Sequence, residues 1–166
     1  MSAKYSLEPH SGTDRTPIEI SEKALSQIGT LKTLLEIGLT EEARNQPIPI
    51  QHDTPRVILC QIVDWCEHHK EDTNVEVGGE EGVVEIPDWD RDFLKKIDVY
   101  DEGLYDITVA ANFLSISKLY RYACKFIYES HVKGKSTQQI RDYFGEDDDF
   151  TPEEREQIEE ENKWFK

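Results

Sequence analysis

The middle of the chain contains the run TPRVILCQIVDWCEHHK, residues 54–70. Four of its apolar side chains share one helical stripe: Leu59, Ile62, Val63 and Cys66. Spacing of i, i+3, i+4 and i+7 predicts an amphipathic α-helix with one face in a core. Proline is favoured at the first helical position because an N–H would have no partner there. The run therefore predicts a core helix with Pro55 as its first residue.

The segments before this helix alternate in polarity like β-strands. Residues 4–8 and 16–20 flank a turn, and residues 47–50 form a further short extended stretch. Because proline cannot donate to a sheet ladder, Pro17 favours an edge strand. Ser21 predicts the N-cap of a short helix, since its hydroxyl can accept a backbone hydrogen bond. A small sheet followed by helices is the expected start of the fold.

The segment 71–85 has a different composition from the rest of the chain. It holds six acidic residues and three glycines, with no lysine or arginine. Such a segment cannot bury apolar surface, so it predicts a solvated, flexible loop. Two apolar helices are predicted beyond it, Leu104 to Leu114 and Ser117 to about Ser130.

The end of the chain predicts two capped helices. The first begins with Ser136 as N-cap and Gln139 three residues on, and Gly145 ends it. The second begins at the Thr151 cap, a feature worth about 1 kcal/mol, and is predicted to run to about Trp164. Its body is rich in glutamate and has Ile158 as its one aliphatic interior residue. Two interpretations stay open: a helix ordered by a partner, or a frayed tail with Trp164 packed back on the domain.

The charge of the chain limits the classes of partner. Its 166 residues include 35 acidic and 19 basic side chains, giving a formal net charge of −16. A phosphate backbone is bound mainly through lysine and arginine, so neither nucleic acid nor an anionic membrane is an expected partner. No apolar run reaches the roughly 18 to 20 residues that cross a bilayer, and the first residues do not resemble a secretory signal. Cys60, Cys66 and Cys124 stand among apolar residues, which is typical of a reducing compartment. We expect a cytoplasmic and nuclear protein that binds other proteins.

The sequence contains incomplete versions of a phosphate-binding loop, a calcium loop and a zinc site. Gly134-Lys135-Ser136 resembles the end of a phosphate-binding loop, but Glu129 stands where its first glycine is required. The acidic turn 147–149 lacks the glycine of a calcium loop, because Pro152 takes that place. Cys66, His68 and His69 have no second ligand pair at zinc spacing, so we expect two solvated histidines at a helix end. We predict no catalytic residue, no metal and no cofactor.

Several further stretches resemble one family in order and spacing. They are residues 47–50 (PIPI), 62–70 (IVDWCEHHK), 86–90 (IPDWD), 110–114 (AANFL), 133–135 (KGK), 149–154 (DFTPEE) and 161–164 (ENKW). In these runs the chain resembles the Skp (S-phase kinase-associated protein) family over about residues 4–165. The runs at 62–70 and 110–114 together are highly specific to that family.

The resemblance implies a fold and a function. The implied fold is an α/β, BTB/POZ-like domain over residues 1–132, followed by two C-terminal F-box-binding helices over 133–166. The implied function is that of an adaptor, with no chemistry of its own, that links F-box proteins to a cullin in an E3 ubiquitin ligase. In the family the asparagine and aromatic residue of the A-A-N run face the cullin, here Asn112 and Phe113. The F-box-binding residues would be Ile140, Tyr143, Phe144, Phe150, Ile158 and Trp164.

The resemblance leaves other readings open. A Skp-like protein could instead act as a structural or assembly component outside ubiquitin ligases, and the free protein could form a homodimer through its unfilled F-box surface. The family's usual tyrosine is replaced by Phe113. In some unicellular members the proline at position 152 is hydroxylated and then glycosylated, so Pro152 is a candidate modification site. As the first residue of a capped helix, Pro152 also needs no further role.

Overall fold

The computed structural model of the chain describes residues 4–10, 12–32, 45–72, 84–98 and 103–165. The chain divides into two compact units, Met1–Ile127 and Tyr128–Lys166. The domain boundary placed after residue 132 stays a prediction. Most of the segment predicted to be a flexible acidic loop, 71–85, lies outside the described residues.

The first unit begins with a small mixed sheet. Strand β1 (Lys4–Pro9) pairs antiparallel with β2 (Ile18–Ser21) and parallel with β3 (Ile48–Ile50), so that β1 is central among the described strands. Tyr5 and Leu7 of β1 are buried, as expected from the two-residue period of a strand with one face on a core. The predicted hairpin is confirmed.

Five helices of the first unit have both ends described: α1 (Glu22–Leu25), α2 (Arg56–His68), α3 (Asp88–Ile97), α4 (Gly103–Phe113) and α5 (Ser117–Ile127). Residues 29–32 are helical as well. The Ser21 cap is confirmed, since its side chain accepts a hydrogen bond from the backbone N–H of Ala24. The predicted start of α2 is wrong by one residue. Pro55 is the N-cap, with a non-helical ψ of 144°, and its carbonyl accepts the first bond from the N–H of Leu59.

The core of the first unit is built around α2. The predicted stripe of α2 is buried throughout, and Trp65 beside it is also fully buried. Burying an aliphatic side chain such as that of Leu59 contributes about 1.5–3 kcal/mol. The three cysteines do not share this environment: Cys66 is buried and Cys60 half-buried, whereas Cys124 is exposed. Cys124 is exposed because α5 buries its other face, through Leu119, Tyr122, Ala123 and Phe126.

The second unit contains a π-helical turn (Tyr128–Val132), α6 (Thr137–Phe144), α7 (Pro152–Glu161) and a 3₁₀ turn (Lys163–Phe165). Both predicted capping boxes are confirmed. In the first, the backbone N–H of Ser136 donates to Oε1 of Gln139 at 2.9 Å; in the second, the N–H of Thr151 donates to Oε2 of Glu154 at 2.9 Å. Gly145 ends α6 in the left-handed conformation, with φ of 69°.

Helix α4 is shifted by one residue from its predicted bounds, and α5 and α7 end earlier than predicted. The α-helical geometry of α5 ends at Ile127 and is followed by the π-helical turn, in which the N–H of Lys133 donates to the carbonyl of Tyr128. Helix α7 ends at Glu161, before Trp164. The reason is Asn162, whose side-chain amide donates to the carbonyl of Ile158 at 2.8 Å and closes the last turn. Among the described residues, no helix combines the length and apolar character that a membrane span requires.

Candidate partner-binding surfaces

The outer face of α4 exposes four side chains at helical spacing. We call these residues the α4 surface: Tyr105, Val109, Asn112 and Phe113. The opposite face of α4 is buried in the core. Asn112 and Phe113 were predicted from the sequence, whereas Tyr105 and Val109, which lie eight and four residues before Phe113, were not. That spacing was the available signal, because residues four apart in a helix are neighbours on one face.

The backbone after Phe113 turns sharply in a Schellman motif. The N–H of Ser115 donates to the carbonyl of Asn112 at 3.0 Å, and the N–H of Ile116 donates to that of Ala111 at 2.9 Å. Ser115 occupies the left-handed position with φ of 55°, where glycine is the usual residue. Ala111 and Ile116, the two positions whose apolar side chains usually accompany this motif, are both buried. The motif fixes the backbone conformation at the end of α4, where Asn112 and Phe113 lie.

Residues 29 and 30 lie against the backbone turn that follows α4. We call this turn the α4 corner. A Cβ atom at Gly29 would lie 2.7 Å from the carbonyl oxygen of Ser115, which is too close for any side chain. The backbone N–H of Thr30 donates to the carbonyl of Leu114 at 3.2 Å. A residue other than glycine at position 29 would therefore displace the corner that carries Asn112 and Phe113.

Phe113 is fixed on one side and open on the other. Its ring centroid lies 4.5 Å from that of His52, and Nδ1 of His52 lies 2.6 Å from the hydroxyl of Thr54. The side chain of Phe113 is nevertheless 42% exposed. A ring that is held in place and exposed loses little rotamer freedom when a partner covers it.

The second unit exposes a larger set of apolar side chains. We call the predicted F-box-binding residues the C-terminal surface: Ile140, Tyr143, Phe144, Phe150, Ile158 and Trp164. Five of them are exposed, Trp164 most of all at 78%, and Ile140 is half-buried. No residue of α6 or α7 is buried, and the structure describes every residue of both helices. Exposed aromatic groups of this kind are typical of protein-binding sites.

Within this surface, the aromatic residues of α6 form a local cluster. The ring of Tyr143 stacks on that of His131 with centroids 3.9 Å apart, and Phe144 meets Tyr143 edge-on at 5.0 Å.

The two surfaces belong to different compact units: Asn112 and Phe113 to the first, the six C-terminal residues to the second. Pro152 is exposed at the first position of α7, and its modification stays a prediction.

Comparison with known proteins assigns the chain to a family. The protein-family model described as "Skp1 family, tetramerisation domain" matches residues 11–71. A second family model, "Skp1 family, dimerisation domain", matches residues 117–165. A protein of Talaromyces stipitatus named "E3 ubiquitin ligase complex SCF subunit sconC" is 36% identical over 99% of this chain and 98% of its own length. The chain belongs to the Skp1 family. A relative in Caenorhabditis elegans named "Skp1-related protein" is 37% identical over 93% of this chain and 88% of its own length.

Membership of the Skp1 family confirms the predicted fold, a BTB/POZ-like domain followed by C-terminal helices. In this Skp1-family chain the C-terminal surface lies wholly within the dimerisation-domain match, residues 117–165. The α4 surface lies between the two matches, so its residues are covered by the relatives but by neither domain model.

The motif at residues 65–69 of this Skp1-family chain is structural, contrary to one prediction. His68 is exposed and stacks on Trp89 with ring centroids 3.6 Å apart, but His69 is buried and not solvated as expected. Burial strongly raises the pKa of the Cys66 thiol, so the thiolate that a metal would need is disfavoured. Among the described residues, no three histidine, cysteine or acidic side chains are grouped as metal ligands.

A network of charged groups offsets the cost of burying His69. Its Nδ1 lies 2.8 Å from Oδ2 of Asp72, and its Nε2 lies 3.1 Å from Oδ1 of Asp90, which also accepts the indole N–H of Trp65 at 2.7 Å. Lys118 donates to the same Asp72 oxygen at 3.3 Å. Burial lowers the pKa of His69, but hydrogen bonds and attraction to the two carboxylates outweigh it, so the pKa is raised above its ordinary value. The network joins α2, α3 and α5.

Proposed function

We propose that this chain is a non-catalytic adaptor that joins F-box substrate receptors to a cullin scaffold in an SCF-type E3 ubiquitin ligase. One observation carries the proposal: two exposed apolar surfaces lie on two different compact units. An adaptor needs two such surfaces, so that one partner does not displace the other. The relative named as a subunit of an E3 ubiquitin ligase complex aligns with both of them, since the alignment covers 99% of the chain.

The end of the α4 surface suits a rigid partner such as a cullin. Asn112 offers an amide that both donates and accepts hydrogen bonds, beside the exposed ring of Phe113. The Schellman motif and the contact with His52 hold both residues on a rigid corner of the first unit. A preorganised surface of this kind binds with a small loss of conformational entropy.

The C-terminal surface suits a partner that supplies a missing core. Its apolar side chains are spread over α6, α7 and the turn after α7, and neither helix buries a residue of its own. An F-box segment that packs between these side chains would give both helices the apolar contacts that they lack. Tyr143 and Trp164 are of the residue types that most often dominate binding energy.

The charge of the chain agrees with protein partners. With a formal net charge of −16, it would be repelled by nucleic acid and by anionic lipid surfaces. An adaptor also needs no catalytic group, and the pKa shifts in the structure have structural causes. The clearest case is His69, whose ring is buried and whose two nitrogens both contact carboxylates, those of Asp72 and Asp90.

Affinity purification of the tagged chain from its own cells, followed by mass spectrometry, tests the proposal. We expect a cullin and several F-box proteins in the same purification. Recovery of F-box proteins without any cullin would favour a Skp-like assembly component that acts outside ubiquitin ligases. Recovery of neither class would contradict the proposed function.

A further inference from the structure

The second unit is held together around one carboxylate. Asp148 lies in the linker between α6 and α7. Its Oδ2 forms ion pairs with the guanidinium groups of Arg141 of α6, at 3.1 Å, and Arg155 of α7, at 2.6 Å. We call these three residues the Asp148 clamp. It is a direct connection between the two helices, neither of which buries a residue.

Two of the three clamp side chains are largely shielded from solvent, whereas that of Arg155 is 50% exposed. The side chains of Asp148 and Arg141 are each 19% exposed, and the second carboxylate oxygen of Asp148 is also buried. Exposed ion pairs contribute little to stability, about 0–1 kcal/mol. A carboxylate that is shared by two guanidinium groups and screened from water forms a stronger and more directional contact.

The same two arginines fix the position of Phe150. The guanidinium of Arg141 lies over the ring of Phe150, 5.3 Å from its centroid, and Nε of Arg155 donates to the Phe150 carbonyl at 3.3 Å. Phe150 belongs to the C-terminal surface and is exposed. The clamp therefore holds one of the proposed binding residues through its ring and through its backbone.

Charge repulsion would oppose this arrangement without the arginines. Residues 146–149 are four consecutive acids, and α7 adds Glu153 and Glu154 in its first turn. Like charges at such short range destabilise a compact linker. Two arginines on the central carboxylate offset that repulsion where the chain folds back from α6 to α7.

We propose that Arg141, Asp148 and Arg155 are positioning residues that hold α6 and α7 in the arrangement an F-box partner binds. This inference rests on the proposed function. The clamp does not supply the main binding contacts; it raises the fraction of the free protein that is ready to bind. When only a fraction of molecules is competent, the apparent dissociation constant rises in inverse proportion to that fraction.

Asp148→Asn tests the clamp, with Asp147→Asn as its matched control. Both variants remove one negative charge, but Asp147 is exposed and lies outside the clamp. We expect Asp148→Asn to weaken binding of a recombinant consensus F-box domain about tenfold, and Asp147→Asn to change it by less than about twofold. In the free protein, amide hydrogens of residues 137–161 should exchange faster in Asp148→Asn alone.

A double-mutant cycle with Arg155→Gln separates positioning from a general charge effect. Because the two residues share one contact, the double variant should lose less F-box affinity than the sum of the two single losses. Equal binding and exchange in Asp148→Asn and Asp147→Asn, or additive losses in the cycle, would overturn the inference. If the wild-type chain fails to bind the F-box domain, the proposed function fails, while hydrogen exchange in the free protein still decides whether the clamp orders the helices.

Discussion

Helices α5 and α7 have nearly the same length but opposite surroundings. Helix α5 (Ser117–Ile127) buries four side chains in the core of the first unit, whereas α7 (Pro152–Glu161) buries none. What α7 has instead is a capping box, a proline at its first position and an ion pair from Arg155. One helix is stabilised by packing, the other by polar contacts at its start.

This difference matters because polar contacts alone rarely sustain a short helix. Isolated helices below about 12–15 residues are marginal in water, and a cap contributes about 1 kcal/mol. The first unit should therefore unfold as one cooperative body, and α7 should open at a much lower free energy. A segment of low local stability that carries exposed apolar side chains is suited to gain its order from a partner.

The largest expected effect concerns the α4 surface. Replacing both Asn112 and Phe113 with lysine should weaken cullin binding by about 3 kcal/mol or more, roughly a hundredfold, because two charges would be buried without partners. F-box binding should be unchanged, since the C-terminal surface lies in the other unit. Surface plasmon resonance with each immobilised partner measures both affinities.

A single lysine elsewhere on the first unit provides the control. Asp64→Lys, on the exposed side of α2, changes the net charge by the same amount as the double variant and should leave cullin affinity within about twofold. Unchanged cullin affinity in the double variant would remove Asn112 and Phe113 from the interface.

The second effect concerns the C-terminal surface. Trp164→Ala should weaken F-box binding by about 2 kcal/mol, roughly thirtyfold, as expected for an aromatic group at the centre of an interface. The free energy of unfolding of the first unit should stay constant, because Trp164 is 78% exposed. Val57→Ala, which truncates an exposed apolar residue of α2, is the matched control for affinity. A large loss of stability in Trp164→Ala would instead mean that the tryptophan packs on its own domain.

The smallest effect concerns the network inside the first unit. The folded pKa of His69 is raised above its ordinary value of 6.5, so its charged form stabilises the fold. That stabilisation is complete below the unfolded pKa and is lost as pH rises through the folded pKa. Urea unfolding at about pH 6 and about pH 8 should show a fall in stability that disappears in His69→Gln. The same fall should persist in His68→Gln, because His68 is exposed; an equal slope in all three proteins would exclude the network as its source.

Local features of the sequence predicted the structure well. The capping boxes at Ser136 and Thr151 need only residues three apart, and the apolar stripe of α2 needs only helical spacing. The hairpin and the fold class followed from alternation and from the family resemblance. These signals are confined to short segments, so a reading of consecutive residues can detect them.

Features that depend on distant residues were missed. His69 was expected in solvent because the buried one of its two carboxylate partners, Asp90, is 21 positions away on another helix. The contact between Gly29 and Ser115 joins two segments that share no local pattern. Tyr105 and Val109 share a face with Phe113 by their four-residue spacing, but on so apolar a helix that spacing alone does not tell the exposed face from the buried one.

Hydrogen exchange with one partner at a time tests the adaptor most directly. The free chain should show weak protection over residues 152–161 and strong protection in α2 and α5. We predict that an F-box domain protects residues 137–164 and leaves the end of α4 unchanged, and that a cullin protects residues 109–116 and leaves α6 and α7 unchanged. Both footprints should appear together when both partners are present. Strong protection of α7 in the free chain, or loss of one footprint when the second partner is added, would contradict the account.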